Sequence, residues 1–150
     1  MRRDRYTAVD AARQVAFDVL RAVDEEDAYA NLVLPRLLRQ RRVSGRDAAF
    51  ATELAYGVLR GRGTYDAVLA ARLDRPPADL DAPVRDVLRL GAHQLLGMRV
   101  PDHAAVATSV ALARVAVGAG AAGLVNAVLR GLAGRDLDSW LDEVVPAGAA

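Results

Sequence analysis

The chain has 150 residues, a hydrophobic fraction of 53% and a formal net charge of +1, which suits one globular domain rather than a globally basic protein. It has no cysteine, which excludes disulfides, thiolate metal sites and thiol nucleophiles. The longest uncharged run, between Arg114 and Arg130, is shorter than the ~20 residues that a membrane span needs, so we expect a soluble, cytoplasmic protein.

Apolar residues recur at helical spacing from the beginning of the chain. Thr7 and Asp10 resemble a capping box ahead of a first helix of about four turns. The acidic run 24–27 is expected to end this helix as a solvated turn rather than to bind a metal ion. A second, shorter helix follows, with Pro35 near its start.

Ser44 resembles the N-cap of a third helix, which Gly61 and Gly63 are expected to end. Thr64 is then expected to open a further helix. The run Arg75-Pro76-Pro77 marks the clearest break in the pattern.

Pro83 is expected near the start of a helix that is apolar on most sides and therefore central. Asp102 is expected to cap the next helix, a longer one contains Leu124 to Leu132, and a short one carries Trp140. The sequence has no alternating pattern of apolar and polar residues that would indicate strands instead of helices. We therefore predict an all-α fold of seven to eight helices in two small packed bundles. The expected divisions are a basic N-terminal tail (1–7), a single domain (8–144) with sub-bundles at about 8–75 and 81–144, and a tail or linker (145–150).

Positive charge is concentrated in one segment. Five arginines fall within eleven residues that contain no acid: Arg36, Arg39, Arg41, Arg42 and Arg46. Residues 135–143, by contrast, hold four acids and one arginine. Such polarity allows a nearly neutral protein to hold a phosphate backbone on one side, although an ordinary arginine-rich helix end is the alternative.

No catalytic or metal-binding constellation is predicted. His93 lies on an apolar helix and is expected to be packed in the core, and His103 follows a predicted cap. These two histidines do not form a zinc site without cysteine or a suitably spaced acid. The tyrosines at 6, 29, 56 and 65 are scattered, which gives little indication of base stacking.

Four ordered blocks resemble one family. They are Glu53–Arg60 (ELAYGVLR), Leu90–Leu96 (LGAHQLL), Val100–Val106 (VPDHAAV) and Val125–Arg130 (VNAVLR). Together they are similar to the N-terminal RNA-binding domain of bacterial 16S rRNA cytosine carbon-5 methyltransferases, a domain of the NusB antitermination fold. The similarity runs from about Ala11 to Leu132.

This resemblance implies an all-helical domain that helps to recruit 16S rRNA to a covalently linked catalytic domain. In that family the methyl donor is S-adenosylmethionine (SAM) and a cysteine attacks the cytosine. The chain has no cysteine and no α/β donor-binding domain, so we predict that it is itself not an enzyme and binds no cofactor. The predicted RNA-binding residues are the cluster Arg36 to Arg46, with Arg2, Arg3, Arg5 and Arg13 as helpers; only Arg13 has support from the resemblance.

Two alternatives remain open. A free-standing NusB-type antitermination factor would bind leader RNA. The resemblance disfavours this alternative, because such factors carry Glu at the position that Gln94 occupies here and a dense arginine run in the opening helix. A protein-docking module would use the same arginines in salt bridges. The sequence leaves the rRNA segment and the oligomeric state unassigned.

Overall fold

The protein is described by a computed structural model that covers residues 8–144. Within this range the regular secondary structure is helical and no strand occurs, which confirms the all-α prediction. The seven helices of residues 8–144 are α1 (Ala11–Glu26), α2 (Ala30–Gln40), α3 (Gly45–Ala70), α4 (Ala82–Leu96), α5 (Asp102–Ala116), α6 (Ala119–Leu132) and α7 (Leu137–Val144), with a 3-10 turn at Pro77–Asp79.

The start of α1 is set by Asp10, whose carboxylate accepts a hydrogen bond from the Arg13 backbone N–H at 3.1 Å. Asp10 is therefore the N-cap, one of the residue types that best satisfies an otherwise unpaired N–H there. This corrects the expected capping box, in which Asp10 would follow an N-cap at Thr7; Thr7 lies outside the described residues. The helix ends within the acidic run, as predicted, but the run is not a turn: residues 24–26 are still helical and only Asp27 leaves the helix, in the left-handed conformation at φ 51°.

Helix α2 differs from the prediction at its proline. Pro35 lies inside the helix, five residues after its first residue Ala30, rather than near its start. An interior proline removes one backbone hydrogen bond and costs about 3 kcal/mol. Burial of the neighbouring Val33 and Leu34 side chains offsets this cost.

Helix α3 corrects a second prediction. It is one continuous helix of 26 residues, so Gly61 and Gly63 do not end it and Thr64 does not open another. A glycine costs only about 1 kcal/mol inside a helix. This cost is offset because Val58 before the two glycines and Val68 after them are fully buried in the core.

The helices pack around one connected hydrophobic core. Helix α1 contacts α2 and α3, α3 contacts α4, and α4 contacts both α5 and α6. This confirms the central position predicted for α4, whose residues Val87, Leu88 and Leu90 are almost fully buried. The division into sub-bundles at about 8–75 and 81–144 stays a prediction.

Helix α5 corrects the expected cap. Pro101 occupies the N-cap position, and Asp102 is the first helical residue. The Asp102 carboxylate instead accepts a hydrogen bond from the backbone N–H of Gly134, at 3.0 Å. It therefore ties the start of α5 to the segment that follows α6.

Helix α7 is anchored by Trp140, which is fully buried although α7 has only eight residues. Its indole N–H donates to the Leu132 carbonyl at 3.2 Å. The Arg135 guanidinium lies 3.8 Å from the ring centroid, close enough for a cation–π interaction. One aromatic side chain thus joins the end of the helical domain to α6.

A buried ionic network joins three helices. Asp86 in α4 is 3% exposed and accepts hydrogen bonds from Arg21 in α1 at 2.9 Å and from Arg89 at 3.4 Å. Arg89 also makes two hydrogen bonds to Asp66 in α3, at 2.8 and 2.7 Å. Burial raises the pKa of Asp86, and the hydrogen bond from Arg21 opposes that change.

No helix in the described part of the chain is both long and apolar enough to cross a bilayer.

Candidate nucleic-acid interface

The predicted basic segment forms the end of α2, a tight turn and the start of α3. The Val43 N–H donates to the Leu38 carbonyl at 2.9 Å, and the Arg42 N–H donates to Arg39 at 3.2 Å. These two bonds, with Arg42 in the left-handed conformation at φ 56°, form a Schellman motif. That position usually takes glycine, because a side chain there costs about 1 kcal/mol or more.

The turn presents most of the clustered guanidinium groups to solvent. Four of them are exposed and form no ion pair within residues 8–144: Arg36, Arg39, Arg42 and Arg46. We call these four residues the basic turn. Such a group of unpaired cations provides the positive field that a phosphate backbone requires.

The fifth clustered arginine has a different environment. Arg41 forms a salt bridge of 2.6 Å with Asp18 on α1, and its side chain is 36% exposed. This pair holds the basic turn against α1. We therefore assign Arg41 a supporting position, and its own contact with RNA stays a prediction.

Arg13, the expected helper on α1, has partners inside the fold. Its Nε donates to the Gln94 side chain at 2.9 Å, and its guanidinium lies 4.7 Å from the centroid of Phe50. It also pairs with Asp10 at 3.1 Å. Only 16% of the Arg13 side chain is exposed, and its contacts link α1 to α4. Arg13 lies outside the basic turn, and RNA contact at Arg13 stays a prediction.

Three of the predicted helpers, Arg2, Arg3 and Arg5, lie outside the described residues, and RNA contact at these arginines stays a prediction. Arg60 lies about 20 Å along α3 from Arg46, by the helical rise, and pairs with Glu53 at 3.5 Å.

The acidic segments are engaged in local contacts. Arg21 forms salt bridges with Asp24 and Glu25, and Asp136 accepts from the Ser139 N–H at 2.8 Å. Within residues 8–144 no group of three or more histidine, cysteine, aspartate or glutamate side chains could hold a metal ion.

One aromatic residue was not recognised from the sequence. Tyr29 is 73% exposed and precedes the first residue of α2, whereas Tyr65 is buried. Arg36 follows Tyr29 by seven positions, which places both on the same helical face. The helical register of α2 is the signal that could have revealed this alignment.

His93 belongs to a polar cluster between α3 and α4 and is almost fully buried, which confirms its predicted place in the core. Its Nδ1 lies 2.5 Å from the Tyr65 hydroxyl and its Nε2 lies 3.2 Å from Glu53 Oε1. A Cβ atom on Gly57 would lie 2.0 Å from Nε2, so only glycine permits this approach of α3 to α4. Burial lowers the pKa of His93, although Glu53 favours the charged form.

This cluster gives a pH prediction. Because the pKa of His93 is lower in the folded chain, the unfolded chain binds more protons as the pH falls below about 6.5. The contribution of His93 to stability is therefore complete above that pH and is lost towards pH 5. We expect His93→Gln to flatten the fall in unfolding free energy between pH 7 and 5, measured by urea titration.

Gln40→Ala, at an exposed residue that does not titrate, serves as the control and should keep the wild-type pH dependence. An unchanged pH profile in His93→Gln would contradict the assignment.

Comparison with solved structures shows the class of fold. The structure of antitermination factors NusB and NusE in complex with dsRNA aligns with a TM-score of 0.72 and 23% identity, covering 81% of this chain and 92% of that one. The crystal structure of a plectonemic RNA supercoil contains a chain that aligns with a TM-score of 0.75 and 22% identity, at 81% and 91% coverage. The fold is therefore that of the NusB antitermination factors.

The NusB family profile matches residues 10–134, and the chain belongs to the NusB family. A putative methyltransferase of Mycobacterium tuberculosis is 55% identical over 138 residues, which cover 92% of this chain and 30% of that protein. Ribosomal RNA small subunit methyltransferase B of Thermus thermophilus is 44% identical over 139 residues, at 87% and 34% coverage.

The chain thus spans about a third of the length of these relatives and corresponds to their NusB-like N-terminal part. This confirms the resemblance drawn from the four sequence blocks.

Proposed function

We propose that this chain is an RNA-binding domain that helps to bring 16S rRNA to a methyltransferase domain in the same polypeptide. The observation that carries the proposal is the basic turn, with four exposed arginines that have no acidic partner within residues 8–144. Arg42 keeps a left-handed backbone there at φ 56° although glycine would be less strained. Strain of this kind is concentrated at functional positions.

The relatives support the choice of rRNA. The Thermus thermophilus relative is by name a methyltransferase of small-subunit ribosomal RNA, and this chain matches only 34% of its length. We assign cytosine carbon-5 methylation, and SAM as the methyl donor, to the remaining part of such a protein. Residues 8–144 then contribute RNA contacts and no catalytic step. We place this role in the cytoplasm, where rRNA is modified.

Binding should depend on salt through the basic turn. Each contact with a single-stranded phosphate contributes about −0.7 to the slope of log affinity against log salt, so four contacts contribute about −3. We expect the chain to lose about 50-fold in affinity from these contacts between 50 and 200 mM salt. Fluorescence anisotropy with labelled 16S rRNA fragments and with unrelated RNA of equal length measures both the slope and the preference.

Alanine at all four positions of the basic turn should remove most of that slope without changing helicity. The matched control removes four other exposed arginines without ion pairs in the described range and changes the net charge equally: Arg75, Arg99, Arg114 and Arg130. If both quadruple variants lose the same affinity, the basic turn is not the RNA site. If RNA does not bind even at low salt, the arginines serve protein docking instead.

A further inference from the structure

The first two turns of α2 carry two large apolar side chains that the core does not use. Tyr29 is 73% exposed and Leu32 is 65% exposed. With Arg36 and Arg39 they occupy positions that fall within about 80° of arc on the helix surface. An aromatic ring, an aliphatic side chain and two guanidinium groups without an ion pair among residues 8–144 therefore form one exposed stripe.

We propose that Tyr29 and Leu32 bind an unpaired nucleobase of single-stranded RNA whose phosphates lie along Arg36 and Arg39. The inference deepens the proposed function and rests on it, because the arginines of the basic turn supply the electrostatic attraction. Its new content is a base-stacking site at the N-terminal end of α2.

The main chain of Tyr29 is fixed at the start of α2. The Tyr29 carbonyl accepts hydrogen bonds from the Leu32 and Val33 N–H groups, both at 3.0 Å, which fixes its main chain as the helix N-cap. Its side chain forms no cap hydrogen bond. The helix therefore fixes the point from which the side chain extends, and the ring is exposed to solvent.

Charge along the stripe favours a base over a phosphate at Tyr29. The exposed acids Glu26 and Asp27 lie three and two residues before Tyr29, whereas the basic turn begins at Arg36 in the second half of α2. Phosphates are repelled at the first end and attracted at the second. A nucleobase carries no charge, so it can approach Tyr29 while its backbone lies towards Arg36 and Arg39.

Single-stranded RNA is the form that fits. Bases of a single strand are free to stack on aromatic side chains, and every base has a face for this contact. In an A-form duplex the faces of the bases are occupied by their neighbours, and proteins contact mainly phosphates and ribose hydroxyls. The tyrosine should therefore distinguish the two forms of RNA, whereas the arginines should not.

The test compares a labelled single-stranded oligonucleotide with a hairpin of the same length whose loop is a non-nucleotide linker, so that every base of the hairpin is paired. Tyr29→Ala should weaken single-strand binding about ten-fold or more, keep hairpin binding, and leave the salt slope unchanged because no charge is lost. Tyr29→Phe should keep the affinity. Val115→Ala, at an apolar residue of α5 that is 69% exposed, is the matched control.

Tyr29→Trp adds a direct readout, since the natural Trp140 is buried. Its fluorescence should be quenched by the single strand more than by the hairpin, and thermal unfolding of all variants should stay at the wild-type temperature.

The outcomes separate this inference from the proposed function. If the basic-turn variant loses RNA but Tyr29→Ala binds both RNAs as wild type, the stacking site is wrong and the RNA-binding function stands. Equal losses for single strand and hairpin in Tyr29→Ala would also overturn stacking. If neither variant changes RNA affinity, the proposed function itself fails, and a protein partner for this face becomes the alternative.

Discussion

Replacing Asp86 with alanine is expected to lower the free energy of unfolding by about 3 kcal/mol, because removing one member of a buried ion pair leaves its partners without compensation. Asp86 is the carboxylate that Arg21 and Arg89 share between α1 and α4. The expected loss lies at the lower end of the usual range, since Arg21 retains Asp24 and Arg89 retains Asp66.

Urea denaturation followed by circular dichroism measures this loss, and the melting temperature should fall by about 10 °C. Asp74→Ala is the control, because Asp74 is exposed and has no ion pair among residues 8–144. A loss below about 1 kcal/mol in Asp86→Ala, the range of surface pairs, would show that the network does not hold the three helices together.

Replacing Trp140 with alanine is expected to cost 3–5 kcal/mol, on the order typical of a buried tryptophan. The change removes a fully buried ring, its hydrogen bond to Leu132 and its cation–π contact with Arg135. Trp140→Phe should recover most of this stability, because it keeps an aromatic ring and loses mainly the hydrogen bond.

Thermal and urea unfolding by circular dichroism give the comparison between the two variants. The contradicting outcome is a Trp140→Ala chain with wild-type stability, which would mean that α7 unfolds separately from the remainder of the domain.

Much of the fold could be predicted because apolar residues mark the buried faces of the helices. The central position of α4 followed from its apolar character on most sides, and the structure buries Val87 and Leu88 completely. The continuity of α3 could not be predicted in this way. A glycine weakens a helix only slightly, and the packing that keeps Gly61 helical comes from residues distant in sequence.

The basic turn could be predicted because its arginines are close together in the chain, so that any local structure keeps them near each other. The environment of Arg13 could not, because its partner Gln94 lies 81 residues away. Tyr29 was missed for a related reason. Its alignment with Arg36 depends on the helical register of α2, which the interior Pro35 obscures in the sequence.

The Schellman motif that ends α2 also bears on the entropy of complex formation. Its backbone is already ordered by the Arg42 and Val43 hydrogen bonds and by the Arg41–Asp18 salt bridge. When a ligand binds this turn, only the guanidinium side chains lose conformational freedom, because the main chain is already ordered. Binding therefore avoids the entropic cost of ordering the backbone, which is about 1–2 kcal/mol per residue. The turn is thus preorganised, and affinity can reside in few contacts.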